Sequence, residues 1–108
     1  MPYHASRDDF EEILSKLDSW VVGYSREKSK QDKSLDRLNE IEKNLFFYFN
    51  FILFIYPPDN FDVELLLKKF SSKRMRSQLT KKLYQELVEP AVKHLRRFLY
   101  RGRKKEGE

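Results

Sequence analysis

Apolar residues recur at three- and four-residue steps along the first quarter of the chain. Phe10, Ile13, Leu14, Leu17, Trp20, Val21 and Tyr24 fall on one stripe of an α-helix. Ser6 stands at the N-cap position with Asp9 three residues on, a capping-box spacing. Asp8, Asp9, Glu11 and Glu12 crowd the first turn, where the helix dipole favours anions, and that accounts for the acidic cluster without a metal ion. Residues 25–34 carry no apolar side chain and read as a polar connector in preference to a solvated continuation of the helix. Ser34 then caps a second helix whose stripe is Leu35, Leu38, Ile41 and Leu45.

That stripe runs into residues 45–56, which are apolar on every face except at Asn50; seven of the twelve are aromatic. The aromatics would also suit a buried strand, but the amphipathic pattern leads in without a turn signal and the run reads as helix; as helix it is about 18 Å long, short of a hydrocarbon core of about 30 Å, so it predicts no transmembrane segment. A helix apolar all round has to be covered all round. Either it threads the centre of the bundle or part of it, with Phe46, Phe47, Phe51 and Phe54 as candidates, meets another chain. Asn50 reads as a hydrogen-bonded core amide.

Pro57-Pro58-Asp59-Asn60 ends this helix in a turn. Asp62 caps a short third helix over Val63–Phe70, with Phe61 and Leu66 at staple spacing. Ser72 caps a fourth helix that carries Met75, Leu79, Leu83 and Leu87, then Ala91, Val92, Leu95, Phe98 and Leu99. Pro90 lies inside it, removing one backbone donor and clashing with the carbonyl of Glu86, so a kink or restart is expected there. The fold class expected is all-α: a small bundle of about four helices, the last long and kinked near Pro90. Its 108 residues suit a single helical domain over 1–108, with 101–108 a flexible, charged tail beyond Gly102.

Composition narrows the function classes. The chain has no cysteine, which removes disulfides and thiolate metal sites and favours a cytoplasmic location. It opens Met-Pro-Tyr-His-Ala-Ser-Arg-Asp-Asp, without the apolar segment of a signal peptide. An aromatic content of 15% sets it apart from disordered polyelectrolytes. His4 and His94 are the only histidines, and three glycines form no phosphate loop. His94, between Lys93 and Arg96-Arg97, reads as a surface or boundary residue. No catalytic residue, metal ligand or cofactor is expected, and the chain is not expected to be an enzyme.

Charge supplies the functional lead. Eight Lys/Arg and ten Asp/Glu precede Pro57, whereas residues 68–105 hold fourteen Lys/Arg against only Glu86 and Glu89. So concentrated a charge repels itself unless an anion neutralises it. At 100° per residue, Lys93, Arg96, Arg97 and Arg101 fall opposite the apolar stripe of the last helix. Arg74, Lys81 and Lys82 likewise group away from Met75, Leu79 and Leu83. Lys73 and Arg76 extend this surface, and Arg103, Lys104 and Lys105 form a basic arm.

Two functions remain open. The first is a nucleic-acid-binding protein or nucleoprotein subunit contacting phosphates through the basic C-terminal helix and tail, with Tyr84 and Tyr100 placed to stack on unpaired bases. Such a surface does not distinguish DNA from RNA, and it also suits an acidic protein surface. Residues 63–83 can be read as a helix-turn-helix, although Ser71 stands where a turn glycine is usual. The alternative is a protein–protein adaptor or obligate oligomer subunit, a homo-oligomer or part of a larger complex, assembled through residues 45–56.

Overall fold

The computed structural model describes residues 3–106, with side chains described for residues 4–99. The described chain is helical apart from one parallel pair of two-residue strands, β1 (Tyr3–His4) and β2 (Ile55–Tyr56). Six α-helices, the fifth a single short turn, and a π turn make a small all-α bundle around one apolar core.

α1 (Arg7–Ser29) begins at Ser6, whose hydroxyl accepts from the N–H of Asp9 at 3.2 Å. It runs five residues into the stretch expected to be a polar connector, which shrinks to residues 30–34. The cause lies in two charged side chains. Glu27 is buried, and its carboxylate accepts from the backbone N–H of Ser34 at 3.1 Å and from Lys30 Nζ at 3.3 Å. Lys28 reaches across to α4 (Lys73–Gln78) and donates to the carbonyl oxygens of Ser77 and Leu79. The last turn of α1 is therefore held by polar contacts, which apolar periodicity does not register.

α2 (Leu35–Ile52) starts at Ser34, which accepts from the N–H of Arg37, and the short connector folds it back along α1. Phe10, Leu17, Val21 and Tyr24 of α1 meet Ile41, Leu45, Phe49 and Ile52 of α2 in the core. Burial, and secondarily the carboxylate of Glu42, holds the Tyr24 phenol above its ordinary pKa. After Leu53 and Phe54 the chain becomes extended, so the aromatic run is not helical throughout.

α3 (Val63–Phe70) is capped by Asp62, which accepts from the N–H of Leu65 at 3.0 Å. Phe61 packs edge-to-face on Phe10, ring centres 4.8 Å apart, and ties this corner to α1. Ser72 caps α4 as expected, accepting from the N–H of Met75.

The expected long fourth helix is divided. α4 ends at Leu79, which is extended, and Thr80 starts a new helix by accepting from the N–H of Leu83 at 3.1 Å. α5 (Lys81–Leu83) passes through a π turn (Tyr84–Val88) into α6 (Glu89–Glu106). In the π turn the N–H of Glu89 donates to the carbonyl of Tyr84, five residues back. The wider turn falls immediately before Pro90, where an α-helical turn would press the proline ring against Glu86.

This turn also sets the facing of the helix. Leu83, Leu87, Ala91 and Leu95 are all buried, four residues apart each time. In a regular helix twelve residues leave Leu95 rotated by about 120° from Leu83. One extra residue in the turn takes up about 100° of that and keeps both ends of the series on the core.

Candidate nucleic-acid and assembly surfaces

Each described cation of the expected nucleic-acid surface reaches solvent. Lys73, Arg74 and Arg76 lie on α4, Lys81 and Lys82 on α5, and Lys93, Arg96 and Arg97 on α6; all eight are exposed. Met75, Leu79, Leu83, Ala91, Val92 and Leu95 between them are buried, so the expected separation of charge from core holds on every segment. The surface is not one helix face, however, because the break at Leu79-Thr80 separates α4 from α5. Arg101, Arg103, Lys104 and Lys105 have side chains outside those described, as does Tyr100, and the expected mobile tail 101–108 falls on the same stretch.

Carboxylate ion pairs among the described residues involve four cations, none of them on this surface. Arg7 pairs with Glu11 at 3.0 Å, Lys30 with Glu27 at 3.3 Å, Arg37 with Glu40 at 3.3 Å and Lys69 with Asp18 at 3.4 Å. Among the described residues, none of the eight cations on α4, α5 and α6 is paired with a carboxylate. Arg76 and Lys81 converge on a cleft of about 220 Å³ that Tyr84, Gln85 and Glu89 complete. There the Arg76 guanidinium sits 5.0 Å from the centre of the Tyr84 ring.

Tyr84 is not free to stack on a base. It is buried, its hydroxyl donates to the carbonyl of Phe70 at 3.0 Å, and Arg76 covers a ring face. The helix-turn-helix reading fails too. Its second helix would need residues 73–82, and α4 stops at Gln78, about 9 Å long. His94 is half-buried and has a structural partner: Nε2 lies 3.0 Å from the carbonyl oxygen of Ile55, and the ring packs edge-on against Phe98. This contact pins β2 to α6. Among the described residues, no three His, Asp or Glu side chains are placed to hold a metal ion.

The aromatic segment divides cleanly. Leu45, Phe49, Ile52 and Ile55 are fully buried, while Phe46, Phe47, Phe51 and Phe54 are 39%, 61%, 37% and 63% exposed. The helix therefore does not thread the centre of the bundle with all faces covered. Asn50, expected as a core amide, is exposed between those rings, and its side chain has no hydrogen-bond partner among the described residues. The rings are ordered against one another: Phe47 stacks on Phe51 at 6.1 Å and meets Tyr48 edge-on at 5.2 Å.

A second apolar depression, of about 590 Å³, lies between α1 and α3, lined by Leu14, Phe61, Leu65 and Leu66 and rimmed by Arg7, Glu11, Asp62, Lys68 and Lys69. Among the described residues no helix is long and apolar enough to cross a membrane. No known protein family, curated protein or solved structure is detectably similar to this chain.

Proposed function

We propose that this chain is a small helical nucleic-acid-binding protein, or a subunit of a nucleoprotein complex, that contacts phosphates through the cations of α4, α5 and α6 and its C-terminal arm. The observation that carries this reading is the clustering of eight exposed cations, none of them paired with a carboxylate, on α4, α5 and α6, in a stretch where only Glu86 and Glu89 oppose them. Self-repulsion among them is relieved when phosphates replace the carboxylates they lack. Contacts of this kind position a backbone and read little sequence.

Fluorescence anisotropy with mixed-sequence duplex DNA, duplex RNA and single strands, over a series of salt concentrations, tests the proposal. Affinity is expected to fall steeply and log-linearly with salt, by about 0.9 in slope per phosphate neutralised on duplex DNA. Binding insensitive to salt, or none at low ionic strength, overturns it. Polyglutamate bound as tightly as DNA points instead to an acidic protein surface.

A second reading rests on a separate observation. Exposed Phe46, Phe47 and Phe51 on α2, with exposed Phe54 just beyond its end, favour assembly with another polypeptide chain, since exposed apolar clusters of this kind mark interfaces. The two readings are compatible, because α2 and α6 each turn an exposed face away from the core they share.

A further inference from the structure

We propose that the cleft between α4 and the π turn is a subsite for the ribose–phosphate backbone of RNA, in which Arg76 and Lys81 hold a phosphodiester and Glu89 accepts a hydrogen bond from the adjoining 2′-hydroxyl. The proposal rests on the nucleic-acid reading above and deepens it by choosing RNA over DNA.

The break at Leu79-Thr80 builds the cleft. α4 ends there and supplies Arg76; α5 begins beyond it and supplies Lys81; the π turn and the start of α6 add Tyr84, Gln85 and Glu89. Lys81, Gln85 and Glu89 follow at four-residue steps, so they share a face, and all three are exposed, as is Arg76. Arg76 is held in advance. Its guanidinium sits 5.0 Å from the centre of the Tyr84 ring, and the Tyr84 hydroxyl is anchored on the carbonyl of Phe70. A cation already in place loses less freedom when a phosphate arrives.

Charge selects the ligand. Two cations against one carboxylate leave the cleft with one positive charge. A backbone phosphodiester, with one negative charge, balances it, whereas a terminal phosphate monoester carries about 1.5 to 2. Among the described residues no ion pair joins Glu89 to Arg76 or Lys81, so the opposite charges stand apart across the cleft. A carboxylate repels an anion brought beside it unless that ligand also carries a hydrogen-bond donor. The sugar–phosphate chain of DNA has only acceptors. The 2′-hydroxyl of RNA is a donor next to each phosphate, and it is the group by which a protein tells RNA from DNA. Gln85, with a donor and an acceptor on one amide, serves either group.

Size agrees. At about 220 Å³ the cleft is below the roughly 300–1,000 Å³ of sites that enclose a drug-sized molecule, so it suits a sugar–phosphate unit with its base outside. The aromatic ring in the cleft is already engaged by Arg76, which leaves a base nothing there to stack on.

The test is fluorescence anisotropy of the full chain with oligouridylate and with its 2′-deoxy and 2′-O-methyl counterparts of equal length, at one low salt concentration. The ribose strand is expected to bind about ten-fold more tightly than either, the worth of one hydrogen bond to a charged group. Glu89→Ala is expected to bring the three affinities together. Glu86→Ala, which removes the same charge from an exposed residue outside the cleft, raises all three alike and keeps their ratio. Lys81→Ala weakens all three. Equal affinity of the native chain for the three strands overturns the subsite and leaves the nucleic-acid reading standing; no binding of any strand overturns both. A ribose preference that survives Glu89→Ala, or that Glu86→Ala removes as well, also overturns the assignment. The comparison of strands on the native chain needs no variant to fold.

Discussion

The ammonium of Lys28, in the last turn of α1, donates to the carbonyl oxygen of Ser77 at 2.9 Å, forty-nine residues away. It also lies 3.4 Å from the carbonyl of Leu79. These carbonyls sit at the end of α4, where the helix has no further N–H groups to offer. A lysine on another helix supplies the missing donor and carries the charge that a helix C-terminus favours. Replacing it with methionine, which keeps most of the apolar stem, is expected to cost about 1–2 kcal/mol. Urea denaturation of Lys28→Met against the native chain checks this, and an unchanged midpoint contradicts it.

Glu27 makes stability depend on acid. The Ser34 N–H first, then Lys30, holds its carboxyl below the usual carboxylate range. A lowered native pKa adds stability above the unfolded value, about 4.3, that is lost as pH falls through the native one. Glu27→Gln is therefore expected to melt below the native chain at pH 7, and the gap is expected to close as the pH is lowered below 4. A gap that is constant with pH rules this out.

Tyr84 works as a structural tyrosine. Its buried hydroxyl donates to Phe70 across the junction of α3 and the π turn. Tyr84→Phe is expected to cost about 1–1.5 kcal/mol, the worth of one buried hydrogen bond, and to leave oligonucleotide affinity unchanged. Calorimetry and anisotropy on the same sample decide both halves.

Phe47 and Phe49 stand two residues apart with opposite fates: one is 61% exposed, the other 1%. Phe49→Ala is expected to destabilise by about 3–5 kcal/mol through the cavity it leaves. Phe47→Ala is expected to cost under about 0.5 kcal/mol in the monomer. Chemical denaturation at low protein concentration reads the difference, and similar costs would displace Phe47 from the surface.

Arg96 and Arg97 follow the buried Leu95 on α6 and are both exposed. The double change to glutamate is expected to abolish oligonucleotide binding at physiological salt, and each single change to alanine to lower the salt slope by about 0.9. Unaltered affinity in the double variant would remove α6 from the proposed surface.

Much of the backbone was legible locally. Ser6, Ser34, Asp62 and Ser72 cap the helices expected of them, because a cap is a bond between a side chain and an N–H three residues on. Thr80 went unread. Met75, Leu79 and Leu83 continue the apolar pattern at four-residue steps across the break, and no glycine or proline marks it. The one available signal was a threonine three residues before Leu83. The end of α1 was missed for a different reason: Glu27 and Lys28 hold it through partners on the connector and on α4.

Sequence alone determined the all-α class, the main apolar stripes and the concentration of cations after residue 68, since each depends on residue type and short-range spacing. Only the tertiary structure decided which phenylalanines of the aromatic run are core and which are surface. Residues 45–56 are apolar on every side but for Asn50, so nothing local chooses a face; the elements packed on α2 do, α1, the π turn and α6 together with Phe70 of α3 against Phe49, and they leave Phe46, Phe47 and Phe51 open. It likewise turned Asn50 outward and Tyr84 inward, and divided the basic stretch between helices. Burial is a relation between elements, and no single segment carries it.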